Sequence, residues 1–306
     1  MRAFISGASG FVGGHLGRYL LEQGWHVSGQ DLRPAAAFSS FYACDLHDRE
    51  ALRRALAESD PDVVFHLAGC LKAEDPEHFY RTHVIGTVAL LDSILACGLQ
   101  PRVLVASSSA VYGPGQGSRP VTEGFTLRPV THYAASKVAQ EVVAGRYWEA
   151  AGLPVLCVRT FNLLGPGLSA QMACSAFARQ IAQAERQNGP TTILTGDLSA
   201  RRDFVDVRDA VRAYVLVAQK GHAGQAYNVA SGRAVAIRAC LDFLLEHARI
   251  PVEAVLDPAR LQVNDIPVQV GSAERLRALT GWKPELETEQ SLLDLLEDWR
   301  QRVQTE

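Results

Sequence analysis

The sequence predicts an α/β protein: a doubly wound, Rossmann-type parallel sheet carrying a smaller C-terminal α/β lobe. Three observations predict it. Apolar runs of strand length alternate with amphipathic helical patterns through the first half of the chain. The first strand passes directly into a glycine triplet and then a helix, the arrangement of a dinucleotide-binding turn. A serine cluster and a Tyr-x-x-x-Lys pair then follow one of the later strands at its carboxyl end, where open parallel sheets bind ligands.

Composition narrows the class. A chain of 306 residues holds one large domain or two modest ones with ample core. The alternation places a dinucleotide-binding domain at 1–160, with 203–232 returning to it, and a substrate lobe at 161–202 and 233–306. A net charge of -3 without any basic run argues against a nucleic-acid surface. No apolar run reaches the roughly 18 residues of a membrane span, and Met1-Arg2 leads straight into a strand without a secretory cleavage pattern. A cytoplasmic location is expected. The six cysteines are scattered without metal-ligand spacing, so reduced thiols and no bound metal are expected.

Arg2 to Ser6 reads as the first strand, and a helical pattern from Phe11 runs through Leu20-Leu21 to a stop at Gly24. Between them, Gly7 permits a tight turn, Gly10 lets backbone approach a pyrophosphate, and Gly13 allows close helix packing. Asp31 ends the next strand, 18 positions past Gly13, where a carboxylate would accept the adenosine ribose hydroxyls and disfavour a 2′-phosphate. Arg33 offsets that repulsion, so either NAD(H) or NADP(H) is expected; a surface turn acid is the other reading of Asp31. Asp45, before a helix over 47–57, is placed to meet the adenine edge. The strand Asp62 to Gly69 ends in Ala68-Gly69, which would let the cofactor backbone pass, and its His66 reads as a satisfied core histidine. Helices over 86–97 and 133–151 carry strings of small residues that suit either a helical dimer interface or core packing. Another strand, Pro154 to Arg159, ends in Thr160-Phe161-Asn162 and a Gly165-Pro166-Gly167 break. Beyond it sheet and helix return near 214–229, and helices over 237–247 and 289–303 follow.

The chemistry concentrates between Val103 and Lys137. Ser107-Ser108-Ser109 follow the strand Val103 to Ala106, while Tyr133 and Lys137, four apart at a helix start, share one face. An ammonium beside a phenol favours the phenolate and is expected to lower the Tyr133 pKa from about 10. Such a tyrosine can exchange a proton with a carbonyl or alkoxide while a serine hydroxyl polarises the same oxygen. Taken alone, Tyr-x-x-x-Lys is also an ordinary amphipathic face, and serines after a strand also cap turns.

Together, Gly7-x-x-Gly10-Phe11-x-Gly13, His66-Leu67-Ala68, Ser107 to Gly113 and Tyr133-x-x-x-Lys137 resemble the extended short-chain dehydrogenases/reductases that act on nucleotide-sugars, over essentially the whole chain. The resemblance implies Ser108, Tyr133 and Lys137 as the catalytic set, with Ser108 four residues before Tyr112-Gly113 and 25 before Tyr133. It implies a cofactor pocket over Gly7, Gly10, Phe11, Val12, Gly13, Asp31, Arg33, Asp45, Leu46, Leu67, Ala68, Gly69, Tyr133 and Lys137, the lysine also holding the nicotinamide ribose. Dehydratases and decarboxylases of the family carry extra acids where this chain has Ser109 and Ala110, so simple hydride transfer remains.

Thr160 to Gly167, Thr195 to Phe204, Tyr227 to Gly232 and Asp257 to Arg260 further resemble the reductase branch acting on GDP-4-keto-6-deoxy-D-mannose. That likeness implies substrate contacts at Ser108, Ser109, Asn162, Arg202 and Arg260, with Asn162 and Arg202 on the diphosphate, a GDP-sugar substrate, and a homodimer. Without it, Arg201-Arg202 beside Asp203 reads as a surface ion-pair cluster. Two positions depart from the pattern. Gln262 stands where an arginine is usual, with Arg260 or Arg238 as substitutes, and His83 stands where a helix-start Asn is usual. An NAD-retaining 4-epimerase uses the same catalytic set and is the alternative; a non-catalytic dinucleotide-sensing protein is the alternative of another class.

Overall fold

The structure is a computed structural model that describes residues 1–35, 38–115, 117, 119–187, 192–261 and 266–305. The main sheet has seven strands: β1 (Arg2–Ser6), β2 (His26–Asp31), β3 (Ser40–Ala43), β4 (Val63–His66), β5 (Arg102–Ser108), β6 (Val155–Thr160) and β10 (Ala226–Val229). Their order is β10-β6-β5-β4-β1-β2-β3 and every pairing is parallel. Strand order reverses between β1 and β4, so the crevice outside their carboxyl ends is where a ligand fits.

The expected elements appear with small shifts at their ends. The helix expected at 47–57 is α2 (Arg49–Ser59), because the Asp48 side chain accepts from Ala51 N and caps it there. The strand expected at 62–69 stops at His66, leaving Leu67 to Gly69 as the loop over the sheet edge. Helix α1 (Phe11–Glu22) packs one sheet face with α7 (Val207–Lys220), burying Leu16, Leu20, Val211 and Val217 completely or nearly so. The opposite face carries α2, α4 (Gly86–Ala96) and α5 (His132–Ala151) over Phe4, Leu52, Leu90 and Val105. Each such leucine contributes about 1.5–3 kcal/mol by leaving water. Before α4 the chain passes through α3 (Pro76–Tyr80) and a π-helical turn, Arg81–Ile85.

The lobe is built on a second sheet. Strand β9 (Arg201–Asp206) pairs in parallel with β7 (Asn162–Leu164) and β13 (Val268–Gln269), and antiparallel with β11 (Ala234–Ala236). Strands β8 (Thr192–Thr195) and β12 (Glu253–Leu256) form a separate parallel pair. Helices α6 (Ala173–Gln187), α8 (Ile237–Glu246) and α10 (Thr288–Arg302) enclose the lobe's core around Phe177, Leu241 and Trp299.

Two expected boundaries are corrected. Residues 203–206 belong to the second sheet, so the return to the main sheet begins at α7, which Asp206 caps by accepting from Arg208 N at 2.8 Å. Helix α9 (Glu274–Thr280), expected in the lobe, lies against the main domain instead. Its Leu276 and the following Trp282 are in the first core, and the Trp282 indole donates to the Asp209 carbonyl at 3.1 Å. The sequence reading missed α6 and the short strands of the second sheet, because short half-exposed strands carry little periodicity.

Candidate active site

The turn after β1 is built to be backbone only. Gly7 has φ +76°, and a Cβ there would stand 2.6 Å from the Ala68 nitrogen; at Gly13 it would stand 2.3 Å from the Gly7 oxygen. Both positions therefore exclude a side chain. Gly10 caps α1 without any side-chain hydrogen bond, leaving the first N–H groups of a 12-residue helix facing outward. Asp31 is held at the end of β2, its two carboxylate oxygens accepting from Ser9 N at 3.0 Å and Leu32 N at 2.7 Å. Ser9 donates to the Arg33 carbonyl, and the Arg33 side chain is exposed. Asp45 accepts from His47 N at 2.8 Å, which lowers its pKa. Leu46 is buried against Gly86, and the half-buried Phe11 ring packs against both hydrophobic cores. A cradle without side chains, a free helix N-terminus and an oriented acid fit a dinucleotide.

Lys137 lies buried under the carboxyl end of β5. Its Nζ donates to the Ala106 carbonyl at 2.9 Å and to Gln140 Oε1 at 3.0 Å, and burial pulls its pKa down to about 8. Tyr133, half-buried, is flanked edge-on by Phe79 and His83, with ring centroids 6.0 and 5.6 Å away. Ser108 ends β5, its hydroxyl accepting from Ala110 N at 3.2 Å and lying near enough to the Tyr133 phenol to influence its pKa. The three side chains thus meet at one sheet edge. The expected direction of the Tyr133 pKa is corrected, however: desolvation raises it, and the Ser108 hydroxyl only opposes that rise.

Helix α5 is anchored from behind. Glu141, one turn beyond Lys137, accepts from Ser107 Oγ at 2.5 Å and pairs with Arg159 at 2.6 Å, both partners nearly buried. Arg159 also donates to Tyr112 Oη and the Glu123 carbonyl, each at 3.0 Å, so its charge is fully matched. His66 is the satisfied core histidine expected, bonded to Ser6 Oγ at 2.7 Å and Thr87 Oγ1 at 2.9 Å.

A cavity of about 560 Å³ opens between the second sheet and α6, and Asn162, Arg202 and Arg260 all line it. Asn162 Nδ2 donates to the Asp203 carbonyl at 3.2 Å, Arg202 to the Ile266 carbonyl at 2.5 Å, and Arg260 to Asp257 at 3.3 Å. The ion-pair reading of Asp203 is corrected: its buried carboxylate accepts from Ser231 N and Oγ, Gly232 N and Gly271 N. Successive strand residues face opposite ways, so Arg202 and Asp203 serve different surfaces. Ser109 does not join the cavity. It is buried, and its hydroxyl donates to Gln269 at 3.2 Å. Arg238 pairs with Asp242 on α8 at 3.7 Å and does not line the cavity. Gln262 lies outside the described residues.

Sequence reasoning missed Lys72, a further cation on the cavity wall, and the partners Thr87 and Gln140 behind Lys137. The signal for Lys72 was its place in the loop after β4, at the ligand-bearing edge. For Gln140 it was i+3 spacing from Lys137.

Comparison with known proteins gives the chain's family and fold relatives. The sequence model of the NAD dependent epimerase/dehydratase family matches residues 3–230. The chain is 36% identical to GDP-6-deoxy-D-mannose reductase of Pseudomonas aeruginosa over 310 residues, covering 100% of this chain and 99% of that one. It is 28% identical to UDP-glucose 4-epimerase of Mycolicibacterium smegmatis, covering 99% of this chain and 100% of that protein. Among solved structures, RMD from Pseudomonas aeruginosa complexed with NADPH superposes with TM-score 0.89 at 33% identity, covering 99% of this chain and 100% of that chain. UDP-glucose 4-epimerase of Thermus thermophilus in complex with NAD gives 0.88 at 27% identity, covering 98% and 99%.

Proposed function

The chain belongs to the NAD dependent epimerase/dehydratase family, the extended short-chain dehydrogenases/reductases, and from that premise we propose that it is an NAD(P)H-dependent reductase of the C4 keto group of a nucleotide-activated 4-keto-6-deoxyhexose, GDP-4-keto-6-deoxy-D-mannose in type. The observation that carries this is the gathering of Ser108, Tyr133 and Lys137 at the carboxyl end of β5, and it is supported by a cavity in the lobe whose cations suit a diphosphate. It is supported by 36% identity to a GDP-6-deoxy-D-mannose reductase over the full chain.

The glycine turn, the α1 N-terminus, Asp31 and Arg33 would hold the dinucleotide, with Asp45, Leu46 and the Leu67–Gly69 loop around the adenine and backbone. When bound, the reduced nicotinamide supplies the hydride that arrives at C4. Tyr133 gives its phenolic proton to the C4 oxygen as negative charge develops there, and Ser108 donates a hydrogen bond to the same oxygen. Burial keeps the phenol protonated until that moment. Lys137, with two N–H groups bound by Ala106 and Gln140, has one left for the nicotinamide ribose and stabilises the phenolate that remains. Asn162, Arg202 and Arg260 bind the diphosphate, charge-assisted bonds of about 1.5–3 kcal/mol each. Cytoplasmic residence and a homodimer over the exposed side of α5, where Val142 is 68% exposed, belong to the same reading.

Absorbance-monitored oxidation of NADH or NADPH with freshly generated GDP-4-keto-6-deoxy-D-mannose tests it: stoichiometric oxidation is expected, and its absence in protein that binds cofactor refutes it. The full-length likeness to UDP-glucose 4-epimerases favours a second reading, a 4-epimerase that retains its NAD. That enzyme would purify with tightly bound NAD and form product without added reductant. A non-catalytic sensor is disfavoured by the assembled Ser108–Tyr133–Lys137 set, and any turnover with a sugar nucleotide excludes it.

A further inference from the structure

Behind Tyr133 and Lys137 the π-helical turn Arg81–Ile85 delivers one fully buried side chain, His83. Its Nε2 accepts from the Cys70 backbone N–H at 3.1 Å. An amide N–H only donates, so Nε2 carries no proton and the ring proton must sit on Nδ1. Nδ1 lies 2.8 Å from Ser136 Oγ, whose own proton goes to the Tyr133 carbonyl at 2.7 Å. Every donor in this chain therefore has a single direction, and only the neutral Nδ1–H tautomer satisfies it. The ring also stacks on Phe79 at 6.1 Å and meets Tyr133 edge-on.

The residue's carbonyl starts a second chain. Thr87 Oγ1 donates to it at 2.5 Å, and Gln140 Nε2 donates to Thr87 at 2.9 Å. The Gln140 oxygen accepts from Lys137. A Cβ on Gly69 would stand 3.1 Å from His83 Nε2 and 3.6 Å from Lys137 Nζ, so imidazole, loop and ammonium share one small space. The titratable groups facing the ring are Lys137, His66, His78, Cys70 and Tyr133, and the cation among them disfavours a second one.

We propose that His83 is a positioning residue for the Tyr133–Lys137 pair: as a neutral Nδ1–H imidazole it clamps the Gly69–Cys70 loop to the first turn of α5 and, through its carbonyl, fixes the Thr87–Gln140–Lys137 chain. This rests on the reductase reading for its kinetic effect, though not for the tautomer. A misplacement of about 1 Å in such a pair costs on the order of 100-fold in rate.

Two measurements test it. In ¹⁵N-histidine spectra of the intact protein, His83 should show a protonated Nδ1 and a bare Nε2 from about pH 5 to about pH 8; a proton on Nε2, or titration in that range, overturns the proposal without any substrate. With GDP-4-keto-6-deoxy-D-mannose and NADPH, His83→Ala should lower kcat per folded enzyme about 30- to 100-fold and displace the alkaline limb of its pH profile, with NADPH affinity within about threefold. His83→Asn, whose amide can accept from Cys70 and donate to Ser136, should recover to within about tenfold. A merely structural role would reduce the folded fraction and leave kcat and the limb in place, and that result overturns the proposal. Should His83→Ala not fold, Ser136→Ala should still lower kcat about three- to tenfold, and an unchanged value overturns it equally. Wild-type protein inert toward this sugar defeats the reductase reading; the same variants are then compared on UDP-glucose without reductant.

Discussion

The two halves of this molecule make their sites in opposite ways. In the sheet domain the cofactor cradle is mostly backbone: glycines that exclude side chains, a bare helix terminus, loops at the carboxyl ends of parallel strands. In the lobe the site is mostly side chains, brought from β7, β9 and the turn after β12 to line one cavity, each bonded to nearby backbone or to a neighbouring acid. The difference teaches where substitution does harm. A backbone site fails when anything is added to it, whereas a side-chain site fails by degrees as groups are removed.

Four perturbations sharpen or break that contrast, from the largest effect downward. Tyr133→Phe removes the proton donor proposed for the C4 oxygen, so kcat should fall about 10²- to 10⁴-fold while NADPH binding by fluorescence titration stays within a few-fold. Near-normal turnover would remove Tyr133 from the chemistry. Gly7→Ala adds one methyl against the Ala68 backbone at a positive φ. Strain and overlap of roughly 1–3 kcal/mol each should abolish measurable cofactor binding, and an alanine variant binding NADPH normally would break the backbone-only account.

Arg202→Ala should act in the gentler way, raising KM for the sugar nucleotide about 10- to 100-fold with kcat and cofactor affinity little changed; a fall confined to kcat would contradict a diphosphate role. The last perturbation concerns stability rather than turnover. Burial holds His66 to about 3 and His83 to about 2, below the ordinary 6.5. The unfolded chain takes up protons there that the folded chain refuses, so stability is lost as pH falls from about 6.5 toward 3, by up to about 1.4 kcal/mol per pH unit for each histidine. Urea melts at pH 7 and pH 5 should show it, with probes in the sheet domain yielding first. Equal stability at both values would mean the imidazoles are not held neutral.

Legibility in the sequence followed the same division. Gly7, Gly10, Gly13, Asp31, Ser108, Tyr133 and Lys137 lie at fixed spacings around elements whose periodicity is strong, so local pattern placed them at one edge of one sheet. Arg202 and Arg260 were legible only through a family likeness, since nothing local says that the turn after β12 faces β9. Ser109 was misplaced because a run of three serines does not reveal which one ends the strand; here Ser108 does, and Ser109 turns inward to Gln269. The Tyr133 pKa was misjudged because charge spacing is visible in a sequence and desolvation is not. His83 looked like a defect in a motif, and only the fold shows the Cys70 amide that its ring meets.

Net transfer of a cofactor hydride to C4 is the central claim, and isotope labelling tests it most directly. Protein incubated with GDP-4-keto-6-deoxy-D-mannose and NADPH deuterated at the nicotinamide C4, one prochiral position at a time, would be analysed for product by NMR. The account predicts one deuterium at the sugar C4 from one of the two labelled cofactors, in step with NADPH consumed. Converted sugar carrying no deuterium, with the added NADPH untouched, would contradict it.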